Sequence, residues 1–217
     1  MQLLTYEAPA DLHSGELITL LGKALADAGV GSVIYENVAN PRGLGVLSWS
    51  EDPAVFVDRV RPVLNEPTFR RLELDPGFTM FGRTYSSGYE PDLGYWLLRR
   101  PIDTVLQETW CWAIWYPLRR SGEFAQLSPK EQGAILREHG VIGRAYGEAD
   151  LAHDIRLACH GLDRDDNEFV IGLVGKDLHP LSHVVQSMRK TRQTSEYIVQ
   201  MGPFFVGRAV WRSKPST

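Results

Sequence analysis

The strongest constraint on this chain is an order of elements that occurs twice. "GSVIYENVA" and "GLGVLSWS" have strand character around the turn "NPRG", and the helical "DPAVFVDRVRPVL" and extended "FTMFGRTY" follow. Further on, "DIRLACHGLD" and "EFVIGLVG" flank the turn "RDDN", and the helical "LHPLSHVVQSMRK" and extended "GPFFVGRAVWR" follow in the same order. Asp52 and Asp177 open the equivalent helices, and Arg83 and Arg208 close "FGR" and "VGR". Both 177 − 52 and 208 − 83 give 125, so the two halves share one offset at two landmarks, as a duplication would produce. Each half also opens with a strand and a helix: "QLLTYEA" with "SGELITLLGKALADAG", and "TWCWAIWYPL" with "LSPKEQGAILREHGVIGRAY".

Each half is therefore expected to be a β-α-β-β-α-β unit, a ferredoxin-like arrangement of the α+β class in which helices cover one face of an antiparallel sheet. The uncovered faces need burial, and packing the two units together as an α+β barrel supplies it. The expected organisation is an N-terminal half over 1–85, a connecting segment over 86–105 and a C-terminal half over 106–217. The connection, "SSGYEPDLGYWLLRRPIDTV", is longer than an ordinary loop, which points to partial helix or a functional role.

Charge narrows the function. The 217 residues carry a net charge of -4, against the basic excess of a phosphate-backbone binder, so nucleic acid is not an expected partner. No run reaches the roughly 18 apolar residues of a membrane helix, and "MQLLTYEAPADLHSGE" lacks the regions of a signal peptide, so a cytoplasmic protein is expected. Cys111 and Cys159 lie in apolar segments without CxxC spacing and read as buried reduced thiols.

The chemistry centres on one helix. Ser128 is its N-cap, Pro129 its first residue, and Glu131 completes a capping box. Glu131, Ile135, His139, Ile142 and Tyr146 fall at spacings that share one face, which puts an imidazole in an apolar stripe. Two readings stay open: a core histidine bonded to a carbonyl, or an axial haem ligand projected from a rigid element into an apolar pocket. Gly140 beside it would let a flat ligand approach the helix. Elsewhere, Asp163, Asp165 and Asn167 imitate the start of an EF-hand, but Glu168 and Val174 occupy the positions of its glycine and bidentate acid, so a hairpin turn is expected. His179 and His183 have i, i+4 spacing, yet Pro180 marks the first helical turn and no glutamate stands between them as in a zinc protease. Arg119, Arg120, Arg189, Lys190 and Arg192 read either as solvated charges or as a cationic rim for an anion.

"WYPLRR" at 115–120, "LREHG", "RLACHGLDRDDNEF", "VVQSMRKTR" and "GPFFVGR" occur in an order that resembles the chlorite dismutase family, which includes the coproheme decarboxylases. The resemblance covers the C-terminal half. It implies haem b or coproheme as cofactor, with His139 as iron ligand, Ile135, Gly140 and Ile142 along the porphyrin, and Arg119 and Arg189 toward its propionates. It implies a porphyrin and a small oxidant, hydrogen peroxide or chlorite, as partners, together with a homo-oligomer. Tyr116 matches the tyrosine that forms the decarboxylases' radical, and Arg156 matches the distal arginine of the chlorite dismutases. The segment "GEADLAHDI" lengthens the path from His139, so Arg156 and His153 compete for the site-facing position. Phe124 and Leu118 replace a tryptophan and a methionine common in the family, and Glu196 is the acid nearest in sequence to serve as partner of the histidine. The resemblance implies peroxide-dependent decarboxylation of coproheme first. Chlorite decomposition and haem peroxidase activity are the enzymatic alternatives. A haem carrier or sensor, or a binding module without haem, represents the non-enzymatic class.

Overall fold

The computed structural model describes residues 1–11, 14–86, 88 and 90–214. The N-terminal half runs β1 (Gln2–Glu7), α1 (Ser14–Asp27), β2 (Gly31–Asn37), β3 (Gly43–Trp49), a π-helical turn (Phe56–Val60) continuing into α2 (Arg61–Leu64), and β4 (Glu73–Phe81) with β5 (Arg83–Thr84). A second π-helical turn (Tyr95–Arg99) leads into α3 (Arg100–Leu106). The C-terminal half follows as β6 (Trp112–Arg120), α4 (Gly122–Gln126), α5 (Pro129–Glu148), β7 (His153–Ala158), β8 (Phe169–Gly175), α6 (Leu178–Met188), a third π-helical turn (Gln193–Tyr197), β9 (Ile198–Met201) and β10 (Phe205–Arg212).

The strands are hydrogen-bonded in the order β4-β1-β3-β2-β10-β6-β8-β7-β5, with β9 paired to β6. The pattern expected of one ferredoxin-like unit, fourth-first-third-second, therefore appears twice in succession, and the α+β expectation holds. Because β4 and β5 belong to one continuous segment, the sheet meets itself: residues 73–81 pair with β1 and Arg83 with Ala158 of β7. Gly82 lies at the corner, its N–H donating to the Met1 carbonyl. A Cβ there would stand 2.8 Å from both Cys159 Sγ and Leu157 Cβ, so only glycine lets the segment cross. The interior of the resulting barrel is packed by Val33, Tyr35, Ala113, Trp115, Ile155, Leu157 and Phe205, among others.

The helices cover the outside as two separate layers with different packing. Over the N-terminal half, 13 hydrophobic residues are buried and 7 partly buried. Trp211 helps fill that layer, its ring so close to α1 that a Cβ on Gly22 would lie 2.3 Å from it. In the apolar cluster between sheet and helices of the C-terminal half the proportion reverses, with 7 buried and 12 partly buried among the described residues. The same architecture is shut on one side and loose on the other.

Local expectations are met where short-range chemistry decides them. The Ser128–Glu131 capping box is formed and Pro129 opens α5. Asp163 Oδ1 accepts from the Asp165 and Asn167 backbone N–H groups, making a turn between β7 and β8. The connection is helical from Tyr95, as its length hinted. Both cysteines are free, but only Cys159 is buried, and burial pushes its thiol up to about 12; Cys111 is half-exposed, contrary to expectation. No helix among the described residues is long and apolar enough to cross a membrane.

Candidate functional site

The loose layer is where the chemistry-bearing residues gather. Strand pleating sorts them: β6 sends Ala113 and Trp115 into the barrel, and Trp112, Ile114, Tyr116 and Leu118 toward the helices. Trp110 does not join them. It packs at the barrel side and stacks on His153 at 3.5 Å. Register carries the face across the sheet, with Tyr116 paired to Ile171 and Ile171 to Arg156. These three form one row, about 10 Å from first strand to third at the usual strand spacing.

Pleating likewise decides between His153 and Arg156. Ile155 and Leu157 point into the barrel, so His153 points that way as well, and its ring bonds Asp150 Oδ1 at 3.0 Å. Asp154 and Arg156 face the helices. The lengthened segment is taken up by α5 and the turn after it, and Arg156 lies on the same sheet face as Ile171.

Opposite this row stands α5, with Ile135 buried and His139, Ile142 and Tyr146 half-buried. His139 Nδ1 lies 3.4 Å from Thr191 Oγ1. Burial lowers the His139 pKa below its ordinary value, with Asp154 and Glu138 opposing and Arg156 adding, so the imidazole is neutral at neutral pH and its nitrogen lone pair is available. Glu196 is not its partner, being paired with Arg192 at 3.2 Å. Gly140 is exposed with open space where a Cβ would stand, so neighbouring protein atoms impose no need for glycine.

Tyr116 is buried, its ring stacked on Phe204 at 4.7 Å, and its hydroxyl makes no hydrogen bond among the described residues. Burial raises its pKa strongly, Asp154 raises it further and Arg189 opposes. Arg189 is exposed at the end of α6, close enough for its charge to be felt at the phenol. Arg119 lies on the face of β6 away from Leu118. It pairs with Gln200, on the side of the strand opposite Leu118 and Met201, and bonds Gln200 Oε1 at 2.7 Å. Arg120 takes the site side instead, its guanidinium over Phe124 and Phe169 and its Nε 3.0 Å from Glu168 Oε2. Alternation along "LRR" should have assigned the two arginines, had the strand's core face been known.

Several members of the site had no sequence signal. The connection brings Glu90, Trp96 and Arg100 to the edge of the sheet. Arg156 meets Glu90 Oε1 at 3.5 Å and Asp154 Oδ2 at 3.0 Å, flanked by Tyr85 and Trp96. Arg100 donates to the Asp154 carboxylate at 2.8 Å and sits over Trp96. Two carboxylates thus hold Arg156, and two guanidiniums hold Asp154.

Residues 58–210 match the family model described as chlorite dismutase. The chain belongs to the chlorite dismutase family. Among relatives, a protein of Haloarcula marismortui named for heme binding is 29% identical over 139 residues, covering 61% of this chain and 20% of that protein. The chain thus spans about a fifth of that relative's length. Among solved structures, one titled as a heme-binding protein from Thermus thermophilus superposes with a TM-score of 0.72 at 19% identity, covering 97% of this chain and 91% of the other. A mutant chlorite dismutase from Candidatus Nitrospira defluvii gives 0.75 at 15% identity, covering 97% and 90%. At such identities the shared property is the fold. The chlorite dismutase fold accounts for the doubled 4-1-3-2 sheet.

Proposed function

We propose that this chlorite dismutase family member binds a haem-type porphyrin between α5 and the outer face of the C-terminal sheet, with His139 as iron ligand. The observation that carries the proposal is the contrast between the two helix–sheet layers. The layer with 12 partly buried hydrophobic residues is the one that contains His139. Ile142, Phe169, Ile171, Met188 and Phe204 offer a broad apolar surface for a flat ring, while Arg120 and Arg189 lie where carboxylates would leave it. These residues fit the group.

The reaction we propose is peroxide-dependent oxidative decarboxylation of coproheme to haem b. Bound iron porphyrin would supply the capacity to be oxidised by peroxide. Tyr116 would pass that oxidation to a propionate: its phenol lies on the site face without a hydrogen-bond partner among the described residues, and Phe204 holds its ring. Arg120 would hold a propionate carboxylate through charge-assisted hydrogen bonds. The apolar layer keeps water from the phenol. Chlorite decomposition is the second reading. It needs Arg156 as a cation to steer and hold an anion; that guanidinium is paired with Asp154 and Glu90 as Arg120's is with Glu168, so the site-facing phenol of Tyr116, and not the pairing, favours the decarboxylase. Porphyrin, small oxidant and further copies of the chain are the partners in this proposal.

The test is to add coproheme or haem b to the purified protein, record the Soret band, and then add peroxide or chlorite separately. A Soret shift abolished by His139→Ala, followed by stepwise loss of two carboxyl groups that Tyr116→Phe prevents, is the expected result. Oxygen release from chlorite selects the second reading. No His139-dependent Soret shift removes the haem assignment, and haem binding with neither reaction leaves a carrier or sensor.

A further inference from the structure

His139 projects from the middle of α5 toward the C-terminal end of α6, where it meets Thr191, a polar residue only 1% exposed. The Thr191 hydroxyl has one hydrogen to give. It lies 2.8 Å from the Met188 carbonyl, which can only accept, and 3.4 Å from Thr194 Oγ1, a weaker competitor. Donation to Met188 leaves the lone pairs of Oγ1 facing Nδ1 of His139, 3.4 Å away. That arrangement favours the ring hydrogen on Nδ1, which could then donate to Oγ1. Nε2, which has no hydrogen-bond partner among the described residues, keeps its lone pair.

Nearby carboxylates are committed elsewhere. Glu196 pairs with Arg192, and Glu138 accepts from the Arg192 backbone N–H at 3.1 Å. Asp154 is held between Arg100 and Arg156.

We propose that Thr191 is the positioning residue of His139: a neutral acceptor that selects the Nδ1–H tautomer, presents the Nε2 lone pair to iron, and withholds the negative charge a carboxylate partner would supply. The iron in this statement rests on the proposed function; the tautomer belongs to the chain alone. A hydroxyl polarises the Nδ1–H bond less than a carboxylate does, so the imidazole is a weaker donor and ferric iron is less favoured over ferrous.

Nitrogen-15 spectra of histidine-labelled protein without porphyrin read the tautomer, and the midpoint potential with haem b bound reads its consequence. Wild type and Thr191→Ser should show a single Nδ1–H form. Thr191→Val, nearly isosteric, should lose it and shift the potential upward, whereas Thr191→Glu should shift it downward. An Nε2–H form in the wild type overturns the proposal, as does a Thr191→Val protein with unchanged tautomer and potential. A tautomer that behaves as expected, without a His139-dependent Soret shift, upholds the selection by Thr191 and removes the haem reading.

Discussion

If the helix–sheet layer of the C-terminal half is a binding space and its N-terminal counterpart is ordinary core, truncations in the two should cost different amounts. Leu21 on α1 is 0% exposed within the closed layer, and Leu21→Ala should lose about 3–5 kcal/mol, transfer and cavity contributions together. Ile171 lies at the centre of the loose layer, between Tyr116 and Arg156 in one row. Ile171→Ala removes three carbons, a ceiling of roughly 2.4 kcal/mol at about 0.8 kcal/mol each when fully buried. The side chain is only partly buried, so the ceiling falls to about 1 kcal/mol and the cavity penalty is smaller than at a closed core position. A difference near 2 kcal/mol or more moves the urea midpoint by on the order of 1 M between the two variants, with the slope unchanged. The assay is equilibrium urea unfolding without porphyrin, repeated with haem b at about 100 times its Kd, which should stabilise the wild type by roughly 2.7 kcal/mol. In the loaded protein the Ile171→Ala loss should grow while the Leu21→Ala loss stays constant. Equal losses for the two variants without porphyrin would refute the reasoning, because the C-terminal layer would then be filled core.

The remaining predictions address charge, closure and the site's rim. Burial holds the His139 pKa below its ordinary 6.5, so the unfolded chain takes up the proton more readily; the neutral ring's contribution is whole above about pH 6.5 and is lost as pH falls through the folded value. His139→Gln should therefore lose less stability than the wild type between about pH 7.5 and 5.5, with His153, shifted in the same direction by burial, supplying the dependence that persists; denaturant midpoints at the two pH values check this. Asp154→Asn should lower the pKa of both His139 and Tyr116, since the carboxylate raises each, and an NMR titration of the imidazole and an ultraviolet titration of the phenol read the two shifts. Gly82→Ala should cost about 1–3 kcal/mol by thermal or urea unfolding, because the new methyl meets Leu157 Cβ at 2.8 Å and the Ala158 carbonyl at 3.1 Å where the barrel closes. Arg120→Ala should weaken coproheme binding in a spectral titration while Arg119→Ala leaves it unchanged, and the reverse order would place the wrong arginine at the site.

What was legible in the sequence was what neighbouring residues decide. Ser128, Pro129 and Glu131 satisfy the first turn of α5 by themselves, and the stripe through Ile135, His139, Ile142 and Tyr146 follows from helical spacing. The 125-residue offset recurs in the structure at Gly82 and Gly207, each in a segment that bridges the two halves: β10 pairs with both β2 and β6, and the β4–β5 segment with both β1 and β7. The resemblance placed Tyr116 and Arg156 together, and the register of β6, β8 and β7 puts both on one face. Which of Arg119 and Arg120 faces the helices was not legible, because "RR" at a strand end offers two adjacent charges and no local clue to the strand's core face.

Local pattern thus determined the elements, the doubled order and the helix face that carries His139, because hydrogen bonding within a turn and side-chain periodicity act over a few residues. Tertiary structure alone decided the rest. Thr191 lies 52 residues from His139, and Arg100 lies 54 residues from Asp154, distances over which periodicity carries no information. Which of two equivalent layers is shut also depended on the assembled barrel: Trp211, on the last strand, fills the space beside α1, and the partly buried side chains around His139 show their looseness only once sheet and helices are packed against each other.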